Sequence, residues 1–172
     1  MEDYYYESET NKGIRVEQSR AQLLSYRLIN IFLASKPLHK LCDGEYNSGA
    51  DILVNTFEKL EIENLMLQLA ILLRTADTAV LNGKSESNRM NPVVGKLENI
   101  SKGEVKNLDL REACNKIIHV EEIKYEFVDG EFDWERYLEP TIYLYGKMKY
   151  DKWKATLNMN EFCFAACHMP DW

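Results

Sequence analysis

Residues 110–127, LREACNKIIHVEEIKYEF, change their hydrophobic period in the middle and thereby decide the fold class. In the first half, apolar side chains recur at three- and four-residue steps, the period of a helix with one buried face. In the second half, Ile123, Tyr125 and Phe127 alternate with charged residues, the period of a half-buried strand. A helix that passes directly into a strand predicts an α+β domain.

The same stretch carries signals for its own boundaries. Asp109 precedes the helix as an N-cap, and Glu112 stands where a capping box places its second side chain. Asp129 and Gly130 form a turn signal after the strand. We therefore predict a helix over residues 110–119 and a strand that follows it at once.

Two longer helices are predicted upstream. The first starts near Ile14 and stops at Pro37, because proline removes a hydrogen bond from a helix interior. The second opens after Ser48, which can cap it, and closes at Asn82 and Gly83, where a left-handed cap is expected. Its middle, LMLQLAILL, is apolar nearly all round, so we expect neighbours on more than one side, as for the central helix of a bundle.

The remaining elements lie downstream of the second helix. Residues 83–105 show no sustained period, so we predict the longest loop there, with at most a short turn around 93–100. Two further strands are predicted over 141–150 and 151–157, followed by a short last helix that Asn160 can cap. Together with the strand after the third helix, they would form one small antiparallel sheet.

The predicted architecture is therefore α+β. An N-terminal bundle of about three helices is followed by a three-stranded antiparallel sheet and a short C-terminal helix. Residues 1–12 are acidic and aperiodic, and we interpret them as a flexible tail. Residues 13–172 are interpreted as a single domain, since a chain of 172 residues can bury a sizeable core.

Charge and composition limit the partners. Twenty-eight acidic against 21 basic residues give a net charge of -7, which disfavours DNA and anionic membranes. RNA stays open as a partner because two or three clustered cations can hold one phosphate. The four cysteines include no Cys-x-x-Cys pair, and no leader or membrane-spanning stretch is recognisable, so we expect reduced thiols and a cytoplasmic protein.

The common phosphate-binding, metalloprotease and nucleophile motifs are absent from the sequence, and no cofactor is predicted. Cys163, Cys167 and His168 are interpreted as packing residues of the last helix rather than as metal ligands, because two further zinc ligands are not in evidence. The candidate catalytic residues are Arg111, Asn115 and His119. They follow one another at four-residue steps and form a polar stripe on the third helix.

Such a stripe suits phosphodiester chemistry without a metal. An imidazole near its neutral-pH range can take a proton from a ribose hydroxyl, while a guanidinium stabilises charge developing on phosphate. The segment CNKIIH within a helical domain resembles the motif helix of HEPN-type proteins, a group with endoribonucleases and non-catalytic members. The resemblance implies a motif of Arg, a polar residue, three further residues and His, and two protomers that pair their motif helices.

Asn115 and His119 match that motif, whereas Cys114 stands in place of its arginine. A thiol cannot make charged bidentate contacts to phosphate, so we place a non-catalytic interaction protein first, as a homodimer or a partner-binding subunit. The alternative is a metal-independent endoribonuclease that uses Arg111 in place of the missing arginine. A third hypothesis is single-stranded nucleic-acid binding by a sheet with Tyr143, Tyr145 and nearby lysines. Its third aromatic residue would be Trp153.

Overall fold

The computed structural model of the chain describes residues 18–81, 92–132 and 135–168. In chain order, the elements are α1 (Gln18–Leu41), α2 (Gly49–Leu81), β1 (Val93–Asn99), β2 (Glu104–Asp109), α3 (Leu110–Ile118), β3 (Glu122–Asp129), β4 (Arg136–Met148), β5 (Asp151–Asn158) and α4 (Met159–Cys167). The predicted tail over residues 1–12 and the predicted cap at Asn82 and Gly83 lie outside the described residues.

The sheet has five antiparallel strands in the order β2-β1-β5-β4-β3, so the prediction of three strands was wrong. Of the two extra strands, β1 lies within residues 83–105, the region assigned to the longest loop, and β2 begins at the end of that region. In β1, the buried Val94 and Leu97 are three residues apart, because the register shifts between Val93 and Gly95. The edge strand β2 is exposed at four of its six residues, so it offers no alternation of hydrophobic residues.

Only α1 and α2 precede the first strand, so the prediction of an N-terminal bundle of about three helices was also wrong. The helix α3 follows β2 at one edge of the sheet and precedes β3 at the other, so the chain crosses the sheet through this helix. It packs against α2 and touches β1, β2, β4 and β5. The last helix, α4, packs mainly against α1 and also contacts the three central strands.

One core joins the inner face of the sheet to the helices. Leu144, Ala155 and Leu157 are buried on that face, together with Phe162 of α4 and Leu28 of α1. The alternation of the β5 sequence therefore determines which face of the sheet is covered. Burying this apolar surface supplies the main free energy that holds helices and sheet together.

Several predicted boundaries are confirmed. Ser48 caps α2, with the Asp51 amide donating to its hydroxyl at 3.2 Å. Asp109 caps α3, with the Glu112 amide donating to its carboxylate at 2.8 Å.

Two boundaries were predicted wrongly. The first helix runs through Pro37 to Leu41; Pro37 is exposed, so solvent can satisfy the carbonyl that the proline leaves without a donor. The last helix is capped by Asn158 rather than Asn160, because Asn158 ends β5 and its side chain accepts from the amides of Asn160 and Glu161.

Candidate functional site

A row of large apolar side chains lies on the solvent side of α2. The row consists of Leu53, Phe57, Leu60, Leu67 and Ile71, which are between 42% and 60% exposed. With the exposed Asn64 in the remaining gap, the spacing is four, three, four, three and four residues. We call these six residues the α2 seam. The spacing is that of the a and d positions of a coiled coil, with Leu at every d position.

The seam exists because α2 is apolar on two opposite sides. Its other side supplies Ile62, Leu65, Leu69 and Leu73 to the core. At about 100° per residue, the mean direction of the seam lies roughly opposite that buried side. The helix packs mainly against α1 and α3 on its core side, so the prediction of a central helix covered on several sides was wrong.

An open groove between α1 and α2 adjoins the seam. It has a volume of about 780 Å³, and its apolar walls include Tyr26, Leu38 and Leu41, as well as the seam residues Leu53 and Phe57. The seam and the groove thus form one continuous apolar surface on the helical hairpin. Contiguous exposed apolar patches beyond a few hundred Å² are uncommon on monomeric proteins and mark interaction sites.

The α2 helix is held in place from its flank. The Tyr125 hydroxyl on β3 donates to the Glu63 carboxylate at 2.9 Å. Burial raises the pKa of Tyr125 far above its ordinary value, and the bond to Glu63 acts in the same direction. The phenol therefore keeps its proton and remains a donor that ties α2 to the sheet.

The predicted catalytic residues Arg111, Asn115 and His119 lie along one edge of α3. Arg111 and His119 are exposed, whereas Asn115 is half-buried and donates to Glu112 at 3.2 Å. Eight residues of helix separate Arg111 from His119 by about 12 Å along the axis. Their alignment follows from the helix itself, and Cys114 is buried on its core side.

Beside this stripe lies an ion pair that the sequence did not indicate. The Lys116 ammonium is 3.1 Å from Glu112 and lies 4.6 Å from the centre of the Trp153 ring. Burial alone would raise the pKa of Glu112. The hydrogen bonds from Asn115 and Lys116, with the charges of Lys116 and Lys106, hold it below its ordinary value. This cluster joins α3 to the inner face of the sheet.

The cysteine and histidine side chains that were considered as metal ligands make contacts within the fold. Burial raises the pKa of Cys163 to about 12; the nearby Cys167 acts in the same direction, and the neighbouring Ser25 hydroxyl opposes both. The His168 ring makes a 2.7 Å hydrogen bond with the Phe164 carbonyl, and His39 Nε2 lies 3.4 Å from Glu58 Oε2. Within the described residues, no group of three or more such side chains is arranged to hold a metal ion.

Comparison with protein-family models, curated proteins and solved structures gave no match to this chain. The resemblance to HEPN-type proteins therefore stays a prediction from the CNKIIH segment. In the part of the chain that the structure describes, no helix has both the length and the hydropathy needed to span a bilayer.

The α2 seam was missed in the sequence, although its signal is present there. The apolar run over residues 65–73 was interpreted as evidence of burial all round. A search for heptad spacing would have separated the residues at 53, 57, 60, 67 and 71 from those that face the core. Their exposure, however, is visible only in the tertiary structure.

Proposed function

We propose that the chain is an interaction protein that forms a homodimer by packing the α2 seam against the same seam of a second copy. The observation that carries the proposal is the exposure of five large apolar side chains in heptad spacing, opposite the core side of α2. A second helix that covers this row removes its apolar surface from water, which is the main driving force for association.

The residue types at the seam favour two parallel helices. Leucine occupies the three d positions, Leu53, Leu60 and Leu67. The a positions hold Phe57, Asn64 and the β-branched Ile71. A β-branched residue at a with leucine at d is the pattern that favours parallel two-stranded pairing. The core lies on the far side of α2, so two copies can approach along the seam with their sheets pointing away from each other.

Asn64 defines the register of this pairing. It takes the a position in the middle of the seam, and its side-chain oxygen accepts from Gln68 at 3.0 Å, so its amide N–H groups are available to an acceptor on a second copy. A single asparagine at an a position specifies the register and two-stranded state of a coiled coil at some cost in stability. Parallel pairing in register would place the two Asn64 amides opposite each other.

The flanking charges are compatible with the same register. Glu61 occupies an e position and Glu63 a g position. In a parallel pair, a g residue meets the e residue five positions later on the other helix. Glu63 then faces Gln68 of the partner subunit, and Thr56 faces Glu61 of the partner subunit, so no two carboxylates are forced together.

The dimensions suit a modest but specific interface. The seam extends over 19 residues, or about 27 Å of helix. Each partner in a standard protein interface contributes about 800 Å². The apolar groove beside the seam adds to the surface that a partner could cover. A dimer in the cytoplasm is part of the proposal; all four cysteines lie within the described residues, and none is in a disulfide.

The test is the mass of the full chain in solution, measured by size-exclusion chromatography with light scattering. We expect twice the mass of one chain for the wild type, and a monomer for Leu60→Glu, which places a charge in the centre of the seam. Leu33→Glu is the matched control, since Leu33 is exposed on α1 outside both seam and groove. A wild type that is monomeric at high concentration, or a Leu60→Glu dimer, would disprove the proposal.

A second candidate function is the metal-independent endoribonuclease, supported by the exposure of both Arg111 and His119 on one edge of α3. It ranks second because about 12 Å of helix separates the two side chains. The enzyme would cleave RNA in the presence of EDTA and lose that activity in His119→Ala, while His168→Ala would keep it. Equal cleavage by the wild type and His119→Ala would end this candidate.

A further inference from the structure

The outward face of β4 and β5 differs from the rest of the surface. The outward side chains between Thr141 and Lys147 on β4, and between Lys152 and Asn158 on β5, are lysines, tyrosines, threonines and one asparagine. None of these residues is buried, whereas the inward residues of the same strands form the core. On a protein with a net charge of -7, this stretch of the two strands carries three outward cations. Outward carboxylates stand on the neighbouring strands, where Glu126 accepts from the Tyr143 hydroxyl at 2.9 Å and Glu98 is opposite Lys154. We call Tyr143, Tyr145, Lys147, Lys152 and Lys154 the lysine–tyrosine face.

Two of its tyrosines are spaced as a stacking platform. Tyr143 and Tyr145 lie two residues apart on β4, so their rings are about 7 Å apart along the strand. Lysine ammonium groups lie over both rings, Lys154 at 4.7 Å from the centre of Tyr143 and Lys124 at 5.0 Å from that of Tyr145. The face of each ring is therefore accessible to a flexible lysine side chain. A nucleic-acid base can take the place of that lysine on the ring, and the lysine can then contact a phosphate.

The positive charge is concentrated toward the β4–β5 turn. Lys147 and Lys152 are directly opposite each other on neighbouring strands, an arrangement that is unfavourable until an anion lies between them. Lys147 is 3.7 Å from Glu121, whereas Lys152 makes no ion pair with any described residue. A phosphate at this position would relieve the repulsion between the two lysines.

The turn adds a third aromatic side chain. Tyr150 is 97% exposed, so it contributes nothing to packing within the chain. It follows Lys149, whose backbone is in the left-handed region with φ 59°. A fully exposed tyrosine at the end of a row of lysines and tyrosines extends the face by one more ring.

We infer that the lysine–tyrosine face, extended by Tyr150, binds single-stranded nucleic acid. Base stacking on aromatic side chains combined with lysines along a backbone track is the chemistry by which proteins hold single strands without reading sequence. A duplex presents its phosphates but not the faces of its bases. It would therefore contact the lysines without stacking on the tyrosine rings. This inference uses a different surface from the α2 seam and does not depend on the dimer.

The test is fluorescence anisotropy of the full chain with labelled oligouridine and oligodeoxythymidine of equal length, and with an RNA duplex as competitor. We expect both single strands to bind at low salt and the duplex to compete poorly. Tyr150→Ala should weaken binding roughly fivefold or more, which is the low end of the range for one stacked base. The fold should be unaffected, since Tyr150 has no packing to lose.

The lysines are tested through salt dependence. Lys152→Ala should lower the slope of log affinity against log salt concentration by about 0.7, the value for one phosphate contact on a single strand. Arg20→Ala removes the same charge from an exposed site on α1 and is the matched control, expected to leave the slope unchanged.

Four outcomes would overturn the inference. These are no binding of either single strand at low salt, equal or tighter binding of the duplex, wild-type affinity of Tyr150→Ala, and equal effects of Lys152→Ala and Arg20→Ala. Anionic phosphatidylserine vesicles that remove the protein from oligouridine would also count against it, because they would assign the exposed lysines and Tyr150 to a lipid surface instead.

Discussion

The two apolar sides of α2 have similar compositions and opposite environments. Leu65 and Leu69 face the core and are nearly inaccessible, while Leu60 and Leu67 are about half exposed on the seam. Both pairs lie within ten residues of one another on one helix. The difference shows that hydrophobic residues in a helix can serve two separate purposes, one holding the domain together and the other available to a second molecule.

The comparison predicts two separable kinds of defect. A truncation on the core side should lower the stability of each subunit, whereas a truncation on the seam should weaken association and leave the subunit folded. Variants of α2 can therefore distinguish whether its second apolar side belongs to folding or to assembly.

The largest expected effect is on the core side. Leu69→Ala should lower the free energy of unfolding by about 2–5 kcal/mol, because a fully buried leucine leaves a cavity. Leu67→Ala, made in the monomeric Leu60→Glu background, should change it by less than about 0.5 kcal/mol. Both are measured by urea denaturation followed by circular dichroism. Similar losses in the two variants would show that the seam is part of the subunit core.

A smaller effect is expected at the centre of the seam. Asn64→Asp should weaken the dimer by about 2 kcal/mol, since two carboxylates would face each other at a partly solvated interface. Sedimentation equilibrium gives the dissociation constant. Gln22→Glu adds the same charge on an exposed part of α1 and should leave it unchanged. An unaltered dimer in Asn64→Asp would contradict the parallel register.

Loss of the hydrogen bond that ties α2 to the sheet is expected to have a still smaller effect on stability. Tyr125→Phe removes the hydroxyl that donates to Glu63 and should cost about 1 kcal/mol of subunit stability. Tyr26→Phe is the control, because Tyr26 is exposed in the groove. Thermal unfolding of both variants measures the difference, and an equal melting temperature for the two would remove Tyr125 as an anchor of α2.

The smallest effect concerns the charge pair on α3. The pKa of Glu112 is lowered in the folded protein, so its ion pair stabilises the fold above the ordinary glutamate pKa of 4.5. That contribution is lost as the pH falls through the lower, folded value. Glu112→Gln should therefore reduce stability near neutral pH and flatten the acid limb of the stability curve. An acid limb identical to that of the wild type would show that Glu112 does not contribute to it.

Local signals predicted several elements correctly. The α3 helix, its Asp109 cap and the strand that follows are set by neighbouring residues in the chain, and so is the Ser48 cap of α2. The strands β1 and β2 were missed because a register shift interrupts the alternation of one and the other is a mostly exposed edge. The strand β1 depends on pairing with β5, which is distant in sequence, and β2 is held in the sheet only through β1.

The candidate site also divides into features that local sequence predicts and features that only the tertiary structure shows. Helical geometry fixed the alignment of Arg111, Asn115 and His119, and the structure adds the burial of Cys114 and the Lys116 contact with Trp153. Tyr143 and Tyr145 were grouped with Trp153 in the sequence. The structure places Trp153 on the inner face, opposite the two tyrosines, because inward and outward residues alternate along β5.

The sequence by itself determined the α+β class, the caps that start α2 and α3, and the heptad spacing of apolar residues on α2. These depend on the preferences of neighbouring residues and on the period of the chain. Only the tertiary structure decided that the sheet has five strands, which of its faces is covered, and which apolar side of α2 remains in water. Those outcomes depend on contacts between residues far apart in the chain, where burial is settled by which surfaces meet.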